Sequence, residues 1–150
     1  LSNTVSKDYV FDIDKFMSFE GKTGPYLQYT VVRINSILEK LEGKEGGEIH
    51  IYSEEERDII RNIVKLNSSY AVCYRERSLN GLCNSLYDLA SAFSTFYNNH
   101  NVTNESDEVK QNSYISLLKL VRKKMLQALD VLAIKVPKKM WFIFKKGIYK

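Results

Sequence analysis

The sequence predicts an all-α fold, a helical bundle, and three observations lead to this prediction. Apolar residues recur three and four positions apart along most of the chain, which is the period of an amphipathic helix. Helix-capping residues stand before several of these segments, and glycine-rich or polar stretches separate them. Only "GGEIHIY" hints at a strand, and it is too short to build a sheet. A chain of 150 residues has the length of one domain with a buried core.

The first two predicted helices lie near the N-terminus. Asp12 or Asp14 can cap a short apolar segment. Thr23, Gly24 and Pro25 then form a typical helix start, because proline in the first turn gives up no hydrogen bond. This second helix ends at the glycine-rich "EGKEGGE". The apolar residues of the two helices are Phe16, Met17, Phe19, Val31, Ile34, Ile37, Leu38 and Leu41.

The three remaining helices are predicted from their caps and apolar stripes. Ser53 with Glu56 three residues later is a capping box. Ser78 is the predicted cap of the next helix, and Asp107 caps a last helix that closes near Pro137. Between these two helices, "NNHNVTNESDE" is predicted to be a polar loop, open to insertion or mobility. The stripes are Ile59, Ile60, Ile63, Val64 and Leu66; Leu79, Leu82, Leu86, Leu89, Phe93 and Phe96 or Tyr97; and Ile115, Leu118, Val121, Met125, Leu129 and Leu132.

Charge is distributed unevenly along the chain, although the net charge is only +4. Residues 1–108 carry 11 Lys and Arg against 17 Asp and Glu. Residues 109–150 carry 11 Lys and Arg against the single Asp130, a balance of +10. Such a basic segment attracts phosphates whatever their sequence context, but it is equally compatible with an acidic protein partner or a membrane surface.

Motifs for catalysis and for metal binding are missing from the sequence. His50 and His100 have no ligand partners at metal spacing and are predicted to lie on loops without a special role. The order of "GKEGGE" is not that of a phosphate-binding loop, and "SEEER" is typical of a capped, solvated first turn. Cys73 and Cys83 form no CxxC pair, which favours a reducing cytosol. The polar opening without an initiator Met favours a piece of a larger protein, and binding is the expected role.

One helix carries an unusual stripe of side chains. In "TGPYLQYTVVR", Tyr26, Tyr29 and Arg33 stand three and four residues apart. Two phenol rings and a guanidinium therefore share one face of the helix that begins at Pro25.

Three blocks of the chain, in order, resemble one known family. The first, "LSNTVSKDYVFDIDKFMSFEGKTGPYLQYTVVRINSIL", is similar to the start of the C-terminal domain of arginyl-tRNA synthetases, which contains "SFEGNTAPYLQY" followed by an Arg on the same helix. The second, "LCNSLYDLASAFSTFY", resembles the family's "LYELA-x-x-F-S-x-F-Y" helix, and "LDVLAIKVPKKM" resembles its closing "LDLLGIEAPERM". The resemblance assigns residues 1–140 to the anticodon-binding (DALR) domain and leaves residues 141–150 as an extension that is not typical of the family.

The resemblance implies an all-α domain that binds the anticodon of tRNA(Arg). The whole enzyme, arginine–tRNA ligase, is a class I aminoacyl-tRNA synthetase that uses ATP and Mg. Its catalytic domain is not in this chain, so no catalytic residue, metal or cofactor is expected here. We expect a monomer in the cytoplasm, with an organellar form left open. Anticodon bases are read by splaying them out onto aromatic or guanidinium planes, and each stacked base contributes about 1–3 kcal/mol.

The resemblance also implies which residues contact the RNA. The tyrosines and the arginine of the family's "YLQYxxxR" helix carry over to Tyr26, Tyr29 and Arg33. The end of the "FSxFY" helix and the Met that normally ends the chain carry over to Tyr97 and Met140, beside a pocket for the middle C that all arginine anticodons share. Two departures stand out. "TVV" replaces a small residue and a ring before the Arg, and Met140 is followed by "WFIFKKGIYK", so it has no free carboxylate.

Each of these residues also has a purely structural interpretation. Tyr26 can pack beneath its helix, Arg33 can bind Asp12 or Asp14, and the apolar stripe can bury Tyr97. A rival function is a helical protein-interaction module with a basic C-terminal face, which predicts no preference among RNAs. A membrane-surface module is a further rival that rests on the aromatic and lysine-rich tail alone.

Overall fold

The computed structural model describes residues 22–140, and this part of the chain forms a bundle of four α-helices. No strand occurs among the described residues, so the all-α prediction is confirmed. The predicted short helix after Asp12 and the extension at 141–150 lie outside them. The helices are α1 (Gly24–Lys40), α2 (Glu54–Glu76), α3 (Asn80–Asn99) and α4 (Glu108–Val131), with a 3₁₀ turn at Val102–Asn104.

Local hydrogen bonds start three of the four helices where the sequence predicted. Thr23 Oγ1 accepts a hydrogen bond from the Tyr26 N–H (3.3 Å), and a proline occupies the first turn of α1. Ser53 caps α2 as predicted: its Oγ accepts from the Glu56 N–H (3.4 Å) and donates to the Glu56 carboxylate (3.1 Å), which also accepts from the Tyr52 N–H (3.0 Å) rather than from the Ser53 N–H of an ideal capping box. Asp107 accepts from two N–H groups in the first turn of α4, at 3.0 and 3.2 Å. These caps satisfy backbone donors that have no partner within a helix.

Ser78 does not cap α3 as predicted. Leu79 is the N-cap residue, and the Ser78 hydroxyl reaches only the Asn80 N–H, at 3.5 Å. The reason is the tight turn that ends α2, where Arg77 adopts a left-handed backbone (φ 50°). The Ser78 N–H is used in that turn as a donor to the Cys73 carbonyl (3.3 Å), so its backbone belongs to the end of α2.

The strand hinted at by "GGEIHIY" is also not formed. This segment has no regular secondary structure and forms hydrogen bonds with α4 instead of with a second strand. The Gly47 N–H donates to the Asn112 carbonyl (3.0 Å), and Ser113 Oγ accepts from the His50 N–H (2.9 Å) and donates to the His50 carbonyl (3.1 Å). The Asn112 carbonyl and the Ser113 hydroxyl of α4 therefore satisfy backbone groups that a sheet would otherwise pair.

The core is built mainly from the predicted apolar stripes. Val64 is 58% exposed, so the stripe of α2 is narrower than predicted, and four other stripe residues are only half-buried: Leu38, Ile60, Leu79 and Tyr97. The buried apolar residues of the helices include Val31, Ile34, Ile37, Ile59, Ile63, Leu66, Leu82, Leu86, Leu89, Phe93, Phe96, Ile115, Leu118, Val121, Met125 and Leu129.

The polar segment between α3 and α4 is anchored to the bundle. Val102 is only 1% exposed, and the buried Gln111 side chain donates to the Val102 carbonyl (3.0 Å) and the Thr103 carbonyl (3.3 Å). The segment that was predicted from its composition to be a polar, open loop is therefore attached to the bundle by the Gln111 side chain and by the buried Val102.

His100 contacts three helices, so the prediction that it has no special role is wrong. Its Nε2 lies 3.3 Å from Ser53 Oγ and 3.7 Å from the Glu55 carboxylate, both at the start of α2. Its Nδ1 lies 3.3 Å from the Tyr114 hydroxyl of α4. The imidazole also stacks on Phe96 of α3, with the ring centroids 4.7 Å apart. His100 is therefore a structural residue at the end of α3.

We predict that His100→Ala lowers the free energy of unfolding by about 1–3 kcal/mol, because two hydroxyl partners lose a hydrogen bond in a half-buried site. Urea denaturation followed by circular dichroism measures this change. His50→Ala is the matched control, since that side chain is 48% exposed and should change the stability little. Equal stability of the two variants would show that the contacts of His100 contribute nothing.

Candidate nucleic-acid interface

Three of the five residues assigned by resemblance form one cluster. The Arg33 guanidinium carbon lies 4.3 Å from the centroid of the Tyr97 ring and 5.7 Å from that of the Tyr29 ring. All three side chains are half-buried. We call this cluster the tyrosine–arginine stack. A guanidinium over a tyrosine face is attracted by the ring quadrupole, by about 0.5–2 kcal/mol depending on how dry the site is.

Helix spacing and the core together build the stack. Tyr29 and Arg33 are one turn apart on α1, so their side chains lie on the same face. Tyr97 comes from α3, where its ring stacks on the fully buried Phe93 with centroids 6.0 Å apart. The predicted stripe of α3 thus holds one face of Tyr97 against the core and presents another side of the ring to Arg33.

Tyr26 lies in the contact between α1 and α3, apart from the stack. Its hydroxyl is 3.0 Å from Ser94 Oγ, and its ring packs 5.5 Å from the Tyr87 ring. The structure therefore shows the packing role that the sequence left open for Tyr26. Its contact with RNA stays a prediction.

A groove of about 490 Å³ is lined by residues of α1 that neighbour Arg33 in sequence and by the end of the described chain. Val32, the residue before Arg33, and Ser36, about one turn after it, line the groove from α1. Met140 lines it from the end of the described chain. We call it the base groove. Val32 makes this wall aliphatic. The lining residues are Val32, Ser36, Glu39, Lys40, Lys138, Lys139 and Met140.

A sharp turn after α4 carries Met140 to this place. The helix ends at Val131, six residues before Pro137, because Ala133 adopts a left-handed backbone (φ 57°) and reverses the chain. The returning segment is then fastened to α1 by Gln28 Nε2, which donates to the Lys135 carbonyl at 2.7 Å. The predicted helix end near Pro137 is wrong for this reason, and the same turn places the lysines before Met140 beside α1.

Sequence reasoning missed several residues of the base groove. Ser36 and Lys40 continue the spacing of the stripe, three and seven residues after Arg33, so the periodicity contained a signal for them. Glu39, Lys138 and Lys139 have no such local signal, because the path of the chain after α4 decides which residues meet α1.

Arg33 has no acidic partner within the part of the chain that the structure describes. No carboxylate there forms an ion pair with its guanidinium, and Asp12 and Asp14, its alternative partners, lie outside residues 22–140. Between residues 22 and 140, no group of three or more His, Cys, Asp or Glu side chains is arranged to hold a metal ion. None of the described helices is long and apolar enough to cross a membrane.

Comparisons with known proteins identify the family of the chain. The family model of the DALR anticodon binding domain matches residues 27–140. Arginine–tRNA ligases from Agathobacter rectalis and Alkaliphilus oremlandii are each 40% identical over 93% of this chain, which covers 25% and 24% of their lengths. The solved structure of Thermus thermophilus arginyl-tRNA synthetase superposes with a TM-score of 0.72 at 28% identity, over 82% of this chain and 22% of that one.

The chain spans about a quarter of the length of the curated relatives it matches. Its helical fold, its three sequence blocks and the family model all agree on the same domain. The resemblance seen in the sequence is confirmed, and the chain belongs to the DALR anticodon-binding domain family of arginyl-tRNA synthetases.

Proposed function

We propose that this domain binds the anticodon loop of tRNA(Arg), with the tyrosine–arginine stack as a platform for splayed bases. One observation carries the proposal: the Arg33 guanidinium lies 4.3 Å from the Tyr97 ring centroid, and the residue before Arg33 lines a groove large enough for a nucleobase. Planes of this kind bind unpaired bases of any identity, so they supply affinity rather than specificity.

Specificity would come from the base groove. Cytosine differs from uracil at position 4, where it presents an amino group that donates instead of an oxygen that accepts. The Ser36 hydroxyl and the Glu39 carboxylate offer acceptors in this groove, and Val32 and Met140 offer apolar contact. Such a lining suits the middle C of arginine anticodons better than it suits uracil.

The whole protein's reaction is part of the proposal. If this domain serves an arginine–tRNA ligase, ATP, Mg and arginine act at a catalytic domain outside the residues described here. The domain itself would supply tRNA binding, as a monomer in the cytoplasm. The free thiols of Cys73 and Cys83 suit that reducing compartment.

A titration with two tRNAs tests the proposed function. We expect the chain to bind tRNA(Arg) at least about tenfold more tightly than the same tRNA with U in place of the middle anticodon C, since one wrong base typically costs about 1–3 kcal/mol. Affinity should fall linearly with salt on a logarithmic plot, because bound phosphates release counterions. Fluorescence anisotropy at several salt concentrations measures both quantities. Equal affinity for the two tRNAs would contradict the proposal and favour the rival interaction module.

A further inference from the structure

A second groove lies on another face of α1, and it is not part of the base groove. Its volume is about 470 Å³, and α4 forms its far wall. Asn35 follows Arg33 by two residues, which is about 200° around a helix, so the groove opens nearly opposite the stack. We call it the α1–α4 groove. Its lining residues are Asn35, Leu38, Glu39, Glu42, Arg122, Lys138 and Lys139.

The two grooves meet over the outer side of α1. Glu39, Lys138 and Lys139 line both of them. A ligand that leaves the base groove along this side of the helix therefore arrives at the α1–α4 groove without crossing the core.

The lining of the α1–α4 groove combines cations with hydrogen-bond acceptors. Arg122 projects from α4 and Lys138 from the returning segment, and neither forms an ion pair within residues 22–140. Glu39 and Glu42 are exposed on the α1 side. Asn35 Oδ1 is buried and accepts no hydrogen bond from the described residues. Because buried polar atoms nearly always have a partner, this oxygen lacks a donor, and a rotation of the Asn35 side chain, which lines the groove, presents it to a ligand there.

This combination selects among anionic ligands. A phosphate alone would use the cations and leave the amide oxygen without a donor. A strongly acidic peptide would bring repeated negative charges close to Glu39 and Glu42. A ribose–phosphate unit carries one anionic group for the cations and a 2′-hydroxyl that can donate to Asn35 Oδ1. Its chemistry therefore fits the cations and the amide oxygen together.

We propose that the α1–α4 groove binds one ribose–phosphate unit of the RNA strand whose bases lie on the stack. Arg122 and Lys138 contact the phosphate, and the Asn35 side chain turns its Oδ1 into the groove and accepts a hydrogen bond from the ribose 2′-hydroxyl. The inference rests on the proposed function, because the same RNA must occupy both faces of α1. It adds a contact that depends on the sugar and the phosphate and not on the base.

The phosphate contact is tested by Arg122→Ala, with Lys123→Ala as the matched control. Lys123 is the next residue of α4, is exposed and does not line the groove, so both variants lose one positive charge. We expect Arg122→Ala to weaken tRNA(Arg) binding about five- to tenfold at low salt and to reduce the salt slope by about one. Discrimination between tRNA(Arg) and its middle-U form should be unchanged. Lys123→Ala should alter the affinity less than about twofold.

The sugar contact is tested by Asn35→Leu with two anticodon stem-loops, one of RNA and one with deoxyriboses in the loop. The wild-type chain should prefer the RNA loop, and Asn35→Leu should reduce that preference by about five- to tenfold. Circular dichroism confirms that each variant is folded, and Asn35→Ala replaces any variant that is not. Titration with cytidine monophosphate separates a strand from a free nucleotide. We expect no saturation in the millimolar range.

The outcomes separate this inference from the proposed function. If the wild-type chain fails to discriminate the middle C, the proposed function is wrong. If it discriminates, but Arg122→Ala behaves like Lys123→Ala or Asn35→Leu keeps the full RNA preference, only the assignment of the groove is overturned. Saturable binding of cytidine monophosphate that depends on Arg122 would likewise overturn it in favour of a free-nucleotide site.

Discussion

Replacing Tyr29 with alanine is expected to weaken the binding of tRNA(Arg) by about 1–3 kcal/mol, the usual effect of removing one base-stacking platform. Tyr29 is half-buried on α1 beside the Arg33 guanidinium, so the substitution removes one ring of the stack and leaves the core intact. The salt slope should stay nearly the same, because a phenol ring neutralises no phosphate. Anisotropy titrations over a range of salt concentrations give both numbers.

Tyr74→Ala is the matched control for this substitution. Tyr74 is 90% exposed on α2, outside the stack and both grooves, and its loss should leave tRNA binding unchanged. Tyr29→Ala should also narrow the difference in affinity between tRNA(Arg) and its middle-U form. If a folded Tyr29→Ala protein binds both tRNAs as the wild type does, the stack does not hold anticodon bases.

The sequence predicted the parts of the fold that depend on neighbouring residues. Thr23, Ser53 and Asp107 start their helices because each cap acts within three residues of its own position. The prediction that Ser78 caps α3 is wrong because the left-handed Arg77 just before it places the Ser78 N–H in the turn that ends α2. The strand at "GGEIHIY" failed because its backbone partner is a helix more than sixty residues away along the chain, a contact that local patterns do not contain.

In the candidate site, too, local contacts were predictable from the sequence and contacts between distant parts of the chain were not. The pairing of Tyr29 with Arg33 follows from helical spacing alone, whereas Tyr97 joins them from another helix and was assigned only through the family resemblance. The two grooves were not predictable, because they depend on the reversal at Ala133 that brings the last lysines across α1. The excess of positive charge near the C-terminus was visible from the sequence. Which of those charges face α1 was not.

Arg33→Ala is expected to have an effect as large as that of Tyr29→Ala or larger, because Arg33 contacts both rings of the stack. Its guanidinium lies 4.3 Å from the Tyr97 centroid and 5.7 Å from that of Tyr29. Its loss removes one stacking plane and frees the Tyr97 ring to reorient, so tRNA(Arg) should bind about ten- to a hundredfold more weakly, or about 1.4–2.8 kcal/mol. Arg75→Ala, at an arginine that is 74% exposed on α2, is the control.

Arg33→Lys separates the guanidinium plane from its charge. Lysine keeps the positive charge but has no planar group to lie against Tyr97 or against a base. If the plane is what matters, Arg33→Lys should lose most of the affinity and of the preference for the middle C, while its salt slope stays at the wild-type value. If Arg33 only neutralises a phosphate, Arg33→Lys should bind like the wild type, and Arg33→Ala should lower the slope by about one and weaken all RNAs alike. The geometry favours the first outcome, because the guanidinium already stacks on a tyrosine ring that the buried Phe93 holds in place.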